Sequence, residues 1–163
     1  MKSRPRRVEN RVAEEFNKLF SSLGLGRIER IPAPGREGPD MTWNELKLII
    51  DPKSWLTNPK NHMIVSGYYD HGPYVSIKLD EFLTLLNGTA VKEFRKSSST
   101  VLKLLEHLDS WTKENVPEGI SAIVLHWPHM RIANSVVVIK VEDVERLQER
   151  YTLLIGGKEN DHT

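Results

Sequence analysis

Apolar residues recur at helical spacing from Val8 to Leu23, through Val12, Phe16, Leu19 and Phe20, and Gly24 and Gly26 supply the stop. The pattern then changes period. Arg27 to Ile31 alternates as a short strand would, and Pro32, Pro34, Gly35, Gly38 and Pro39 enforce a loop. A second strand fits Met41 to Trp43 and a third Leu46 to Lys53, joined by Asn44-Glu45 as a tight hairpin connection. After Trp55 comes a polar, turn-rich stretch. Tyr74 to Leu79 reads as a strand, and Asp80 to Leu86 as a helix capped by Asp80 and ended at Asn87-Gly88.

A second strong helix runs from Thr100 to Asn115, with the stripe Val101, Leu104, Leu105, Leu108 and Trp111, and Pro117 and Gly119 end it. Ile120 to Trp127 and Val136 to Val141 are β-branched runs of the kind found in buried strands. Val141 to Tyr151 is a last amphipathic helix. The order predicts an α/β domain with a mixed central sheet flanked by helices. At 163 residues the chain suits one domain, 1–163. Within it, roughly 56–97 reads as an insertion, and a flexible tail is expected from about 156.

Composition narrows the chemistry. With no cysteine, disulfides, zinc-thiolate sites and thiol nucleophiles are excluded, so any metal is held by oxygen or histidine. No apolar run approaches the length that spans a bilayer, and the charged start lacks the apolar stretch of a secretory signal, so cytoplasmic residence is expected. The net charge of +1 hides an uneven distribution. Lys2, Arg4, Arg6, Arg7 and Arg11 crowd the first eleven residues, Arg27, Arg30 and Arg36 follow, and Glu142, Asp143, Glu145 and Glu149 make the far end acidic. The basic end is where a polyanion would sit; a merely solvated terminus is the alternative.

A hairpin turning at Asn44-Glu45 pairs Trp43 with Leu46 and Asp40 with Ile49, and side chains alternate with period two. Asp40, Asp51 and Lys53 then share a face, with Asp51 about 7 Å diagonally from Asp40. Leu46, Leu48 and Ile50 form an apolar opposite face that pins the register. Two converging carboxylates beside a lysine suit phosphodiester hydrolysis. The oxygens hold a hard cation such as Mg²⁺, and the lysine positions the nucleophile or stabilises the transition state. A surface hairpin with scattered charges is the plainer reading of the same residues.

Gly38-Pro39-Asp40, followed by Ile49-Ile50-Asp51-Pro52-Lys53-Ser54, resembles the core motif of the PD-(D/E)xK nuclease superfamily. The helix with Glu9-Asn10-Arg11, then Gly24, then Arg30-x-Pro32-x-Pro34-Gly35, is similar to the archaeal-type Holliday junction resolvases. The resemblance covers residues 8–54 and implies a restriction-endonuclease-like sheet and a homodimeric endonuclease acting on four-way or branched DNA. It further implies that Mg²⁺, with Mn²⁺ able to substitute, is held by Asp40, Asp51 and the Pro52 carbonyl, with Glu9 contributing from the helix, directly or through water. Catalysis falls to Glu9, Asp40, Asp51 and Lys53, and DNA contact to Arg4, Arg6, Arg7, Arg11, Arg30 and Arg36. Glu9 lies near the centre of the helix's apolar stripe, where a carboxylate is costly unless paired or metal-bound, although near a helix start it can instead complement the dipole.

Pro52 between Asp51 and Lys53 removes a backbone donor and predicts an edge position or a bulge. A rival alignment takes Glu45-Leu46-Lys47 as the acid-x-lysine element and needs a turn at Thr42-Trp43. His126 and His129 stand three apart around Pro128 and read as a packed or solvated pair; His62 and His71 read as DNA contacts or solvated groups. Nucleases acting on duplex, nicked or single-stranded DNA, and a DNA-binding protein without catalysis, are the other functional readings.

Overall fold

In the computed structural model, residues 3–24, 26–31, 41–54, 67–127 and 130–160 are described, with the backbone alone for 3–9, 30 and 157–160. Helix α1 (Ser3–Ser21) leads into strands β1 (Ile28–Arg30), β2 (Met41–Trp43) and β3 (Leu48–Ser54). Strands β4 (Tyr68–Asp70) and β5 (Tyr74–Lys78), helix α2 (Phe82–Leu86) and strand β6 (Lys92–Phe94) follow. Helix α3 (Ser99–Asn115), strands β7 (Ile120–His126) and β8 (Val136–Lys140) and helix α4 (Val144–Asn160) complete the order. The strands form one eight-stranded sheet, β1-β2-β3-β7-β8-β5-β4-β6, in which β3 and β7 run parallel and β1, β2 and β3 form an antiparallel meander. Both faces are covered, which is why β7 is buried along its whole length.

The two faces carry separate cores. On one, Val12, Phe16 and Phe20 of α1 pack with Trp43, Leu48, Ile50, Ala122, Val124 and Leu147. On the other, Val101, Leu105 and Leu108 of α3 pack with Ile49, Tyr74, Ile123, Leu125 and Trp127. The β-branched runs therefore serve both layers, each residue choosing a face by parity. No helix among the described residues is long and apolar enough to cross a membrane.

Several expectations change. The Asn44-Glu45 hairpin is replaced by a 3-10 turn over Asn44–Leu46 that ends on Lys47 at φ 52, whose N–H bonds Asn44 O. A two-residue turn needs positive φ at its centre, which Asn-Glu serves poorly; the longer turn moves the left-handed step to Lys47 and buries Leu46 completely. Trp43 consequently pairs with Leu48 and Thr42 with Ile49, displacing the expected partners Leu46 and Asp40. Because the shift is two residues, Ile49, Asp51 and Lys53 keep their face.

The segment 56–97 is part of the sheet where it is described: β5 pairs with β8, β4 with β5 and β6 with β4. Helix α2 has no side-chain cap, so Asp80 does not play the role expected of it. Instead the chain enters through a 3-10 turn at Leu79–Glu81, and Gly88 at φ 78 marks the exit. Helix α3 is capped by Ser98, whose hydroxyl accepts from the Val101 N–H at 3.4 Å. Helix α4 continues to Asn160 where a tail was expected from 156, with Leu154 and Ile155 still packing on the core. Helix α1 begins at Ser3, so Arg4, Arg6 and Arg7 belong to its first turns.

Candidate active site

Strand β3 leaves the core at Asp51. Leu48 and Ile50 are fully buried under α1 and Ile49 is buried under α3, whereas Lys53 is half-buried and Ser54 exposed. The parallel register sets Asp51 beside Ile123 and Lys53 beside Leu125, both in the α3-side core, so the two polar residues project on that face at the rim of an apolar layer. The Asp51 carboxylate is 9% exposed and Lys53 Nζ lies 3.2 Å from Oδ2, with the lysine side chain 42% exposed. A carboxylate so buried requires a cation, and the i, i+2 spacing brings the ammonium to it along one face of the strand.

Pro52 is buried in β3, in the interior of the sheet order rather than on an edge strand. It stands opposite Val124 of β7, past the last β2 pair among the described residues, Met41↔Ile50, and the expected edge strand is not what the sheet order gives it.

Among the other residues expected in the site, Asp40 and Arg36 lie outside the described residues, and Glu9 and Arg30 are described by backbone alone, Glu9 one turn before the buried Ala13 in α1. Among the described residues no three acidic or histidine side chains converge as metal ligands. The rival element is dispersed: Glu45 lies in the 3-10 turn with its carboxylate against Gly26, and Lys47 stands 3.9 Å from Glu118. Neither stands on a strand, because Lys47 needs a left-handed backbone to end the turn.

Helix α1 runs so that Phe20 meets Trp43 near the start of β3, while Arg11 is close enough to His126, paired with Ser54 at the far end of β3, to affect its charge. The basic start of the chain and the exit of β3 therefore occupy one end of the sheet. Arg11 is exposed there. His126 is buried, with Nδ1 3.0 Å from Ser135 Oγ; burial, and then the Arg11 charge, push its pKa down. Of the two expectations, packed or solvated, His126 meets the first, while His129 and His62 lie outside the described residues. His71 is also packed: its ring nitrogens bond Lys96 O and Ser76 Oγ, each at 2.7 Å, its ring stacks on Tyr74, and burial lowers its pKa. A solvated or DNA-contacting His71 is thereby excluded.

The sequence pattern does not reveal a charged network at the opposite end of β7. Asp109 accepts from Lys140 Nζ at 3.0 Å and Ser121 Oγ at 3.3 Å, with Lys113 Nζ at 3.1 Å. Burial pushes its carboxyl up, but the two lysines outweigh it and hold the pKa below the usual range. Lys140 is also 2.8 Å from Glu142, and that bond above all raises its pKa. The available signal was Asp109 interrupting the stripe of α3. Comparison of the chain with protein-family models, with curated proteins and with solved structures found no match.

Proposed function

We propose that this protein is a Mg²⁺-dependent DNA endonuclease of the PD-(D/E)xK kind, acting as a homodimer on four-way or otherwise branched DNA. The observation that carries the reading is the Asp51–Lys53 pair: a nearly buried carboxylate and a half-exposed ammonium 3.2 Å apart, on one face of β3 where the strand leaves the core. The meander β1-β2-β3, followed through α3 by β7 parallel to β3, supports the restriction-endonuclease-like form of the sheet. The basic end of α1 lies at the same end of the sheet as the exit of β3.

The donor chemistry fits a hard cation. Asp51, with Asp40, the Pro52 carbonyl and Glu9 from the resemblance, offers oxygen alone, which suits Mg²⁺ or Mn²⁺. When bound, the cation lowers the pKa of a water and neutralises charge on the phosphoryl group. Lys53 holds the attacking water by hydrogen bond, or donates to a phosphoryl oxygen as charge develops there. Its contact with Asp51 keeps the ammonium aimed along that face of β3. Arg4, Arg6, Arg7 and Arg11, with Arg30 and Arg36, bind backbone phosphates.

The test is a cleavage panel comparing four-way junction, flap, nicked duplex, linear duplex and single strand, with and without Mg²⁺. Metal-dependent cleavage strongest on the junction is expected. Equal cleavage of linear duplex removes the junction assignment, and no cleavage of any substrate removes the nuclease.

A further inference from the structure

Strand β6 ends the sheet, and its outer edge faces no other strand among the described residues. It is also where the largest apolar exposure occurs: Val91 is 83% and Phe94 78% exposed. An exposed edge with apolar side chains is a template for pairing with another chain.

We propose that β6 pairs antiparallel with β6 of a second copy, about a two-fold axis at Phe94. The inference gives the homodimer of the proposed function its surface, and to that extent rests on that reading. Backbone parity selects the centre. The Arg95 N–H bonds Asp70 O at 2.9 Å, so Glu93 and Arg95 turn their backbone groups toward β4 while Lys92 and Phe94 turn theirs outward. A two-fold perpendicular to the sheet brings like residues together at the centre; centring on Glu93 or Arg95 opposes like charges, which leaves the outward-facing Lys92 or Phe94. Centring on Lys92 opposes two ammonium groups. Centring on Phe94 joins the two rings and exchanges two backbone hydrogen bonds between the Phe94 residues. It also sets Glu93 of each copy opposite Arg95 of the other.

The local geometry suits this register. Arg95 lies 4.5 Å over the Tyr69 ring, which fixes it on the Glu93 face, and Lys92 is held 3.6 Å from the Asp70 carboxylate. The Lys96 carbonyl is occupied by His71, so the pairing ends at Arg95. An interface this short falls below the roughly 1,200–2,000 Å² of stable complexes, so the dimer depends on concentration.

Sedimentation of the full chain over a concentration series tests the proposal. The parent should move from monomer to dimer, and Phe94→Pro should raise the dissociation constant at least tenfold. Proline there removes an outward N–H and no bond to β4, so circular dichroism should be unchanged. Glu93→Arg and Arg95→Glu should each weaken the dimer, and the double exchange should restore it; that pair of measurements stands even if the proline variant misfolds. A parent monomeric throughout, a Phe94→Pro dimer as tight as the parent, or a double exchange no better than the singles overturns the proposal. So does a Phe94→Pro variant that loses DNA affinity with its mass distribution unchanged, because the edge then serves nucleic acid. A parent that is monomeric yet cleaves junctions defeats the β6 pairing alone, whereas a dimer that cleaves nothing defeats the nuclease reading alone.

Discussion

Two buried aspartates on the α3 side of the sheet carry lysines at nearly equal distances, 3.2 Å at Asp51 and 3.0 and 3.1 Å at Asp109, and both carboxylates are 9% exposed. Their surroundings differ. Asp109 is held by Lys140 of β8, which is only 18% exposed, and by the Ser121 hydroxyl of β7, both tying α3 to the sheet, and by Lys113 of α3 itself, which is 71% exposed. Asp51 stands at the exit of a strand with a lysine that is 42% exposed, at the end of the sheet that holds the basic start of the chain. A carboxylate whose charge is satisfied from several elements stabilises the fold. One held at the rim of the sheet beside a half-exposed ammonium is suited to chemistry.

Exchanging the two sites' responses would break this comparison. Asp51→Asn and Lys53→Ala should abolish cleavage while leaving junction binding nearly intact, since binding comes mainly from contacts to phosphate. Full activity in either variant removes the proposed centre. Asp109→Asn should do the reverse: cleavage persists at temperatures where the variant is folded, while denaturant unfolding shows a loss of about 3 kcal/mol, the scale for removing one partner of a buried pair. A variant as stable as the parent would show that the network is dispensable.

Smaller effects sharpen the division. Glu9→Gln should slow single-turnover cleavage at saturating Mg²⁺ by about a hundredfold, the scale of a lost electrostatic group. Glu14→Gln, on the exposed side of α1, should leave the rate unchanged. A Glu9 variant as fast as the parent takes the helix out of the site. Replacing Arg4, Arg6 and Arg7 by Ala should weaken all substrates alike and flatten the dependence of affinity on salt, because fewer counterions are released. An unaltered salt slope means that the first turns of α1 do not touch DNA.

The smallest effect is one of pH. His71 and His126 both have pKa values lowered by burial from 6.5, so the unfolded chain takes up protons more readily than the folded one. Their contribution to stability is complete above 6.5 and is lost as pH falls from there toward the folded values. Denaturant unfolding between pH 8 and pH 5 should show that loss in the parent and a shallower one in His71→Gln/His126→Gln. Identical slopes would mean that neither histidine is protonated on unfolding.

Much of this was legible in the chain. The stripes of α1 and α3 and the β-branched runs of β7 and β8 gave their elements to within a few residues, because burial imposes period on side chains directly. Strands β4 and β6 did not show, β4 lying in a polar, turn-rich stretch and β6 being exposed at every position. The site was legible in part. Alternation alone puts Asp51 and Lys53 on one face, whatever the register with β2.

The sequence by itself determined which residues are apolar, at what period they recur, that cysteine chemistry is absent, and that an acid and a lysine stand two apart at the end of a strand. Those are properties of short stretches, set by local geometry and burial. Only the tertiary structure decided which aspartate is enclosed and which lies at the rim, that His71 is packed, and that β6 ends the sheet with Phe94 exposed. Each of these depends on neighbours distant along the chain, such as Asp109 with Lys140 or β5 with β8, and no local pattern encodes which neighbour the fold will supply.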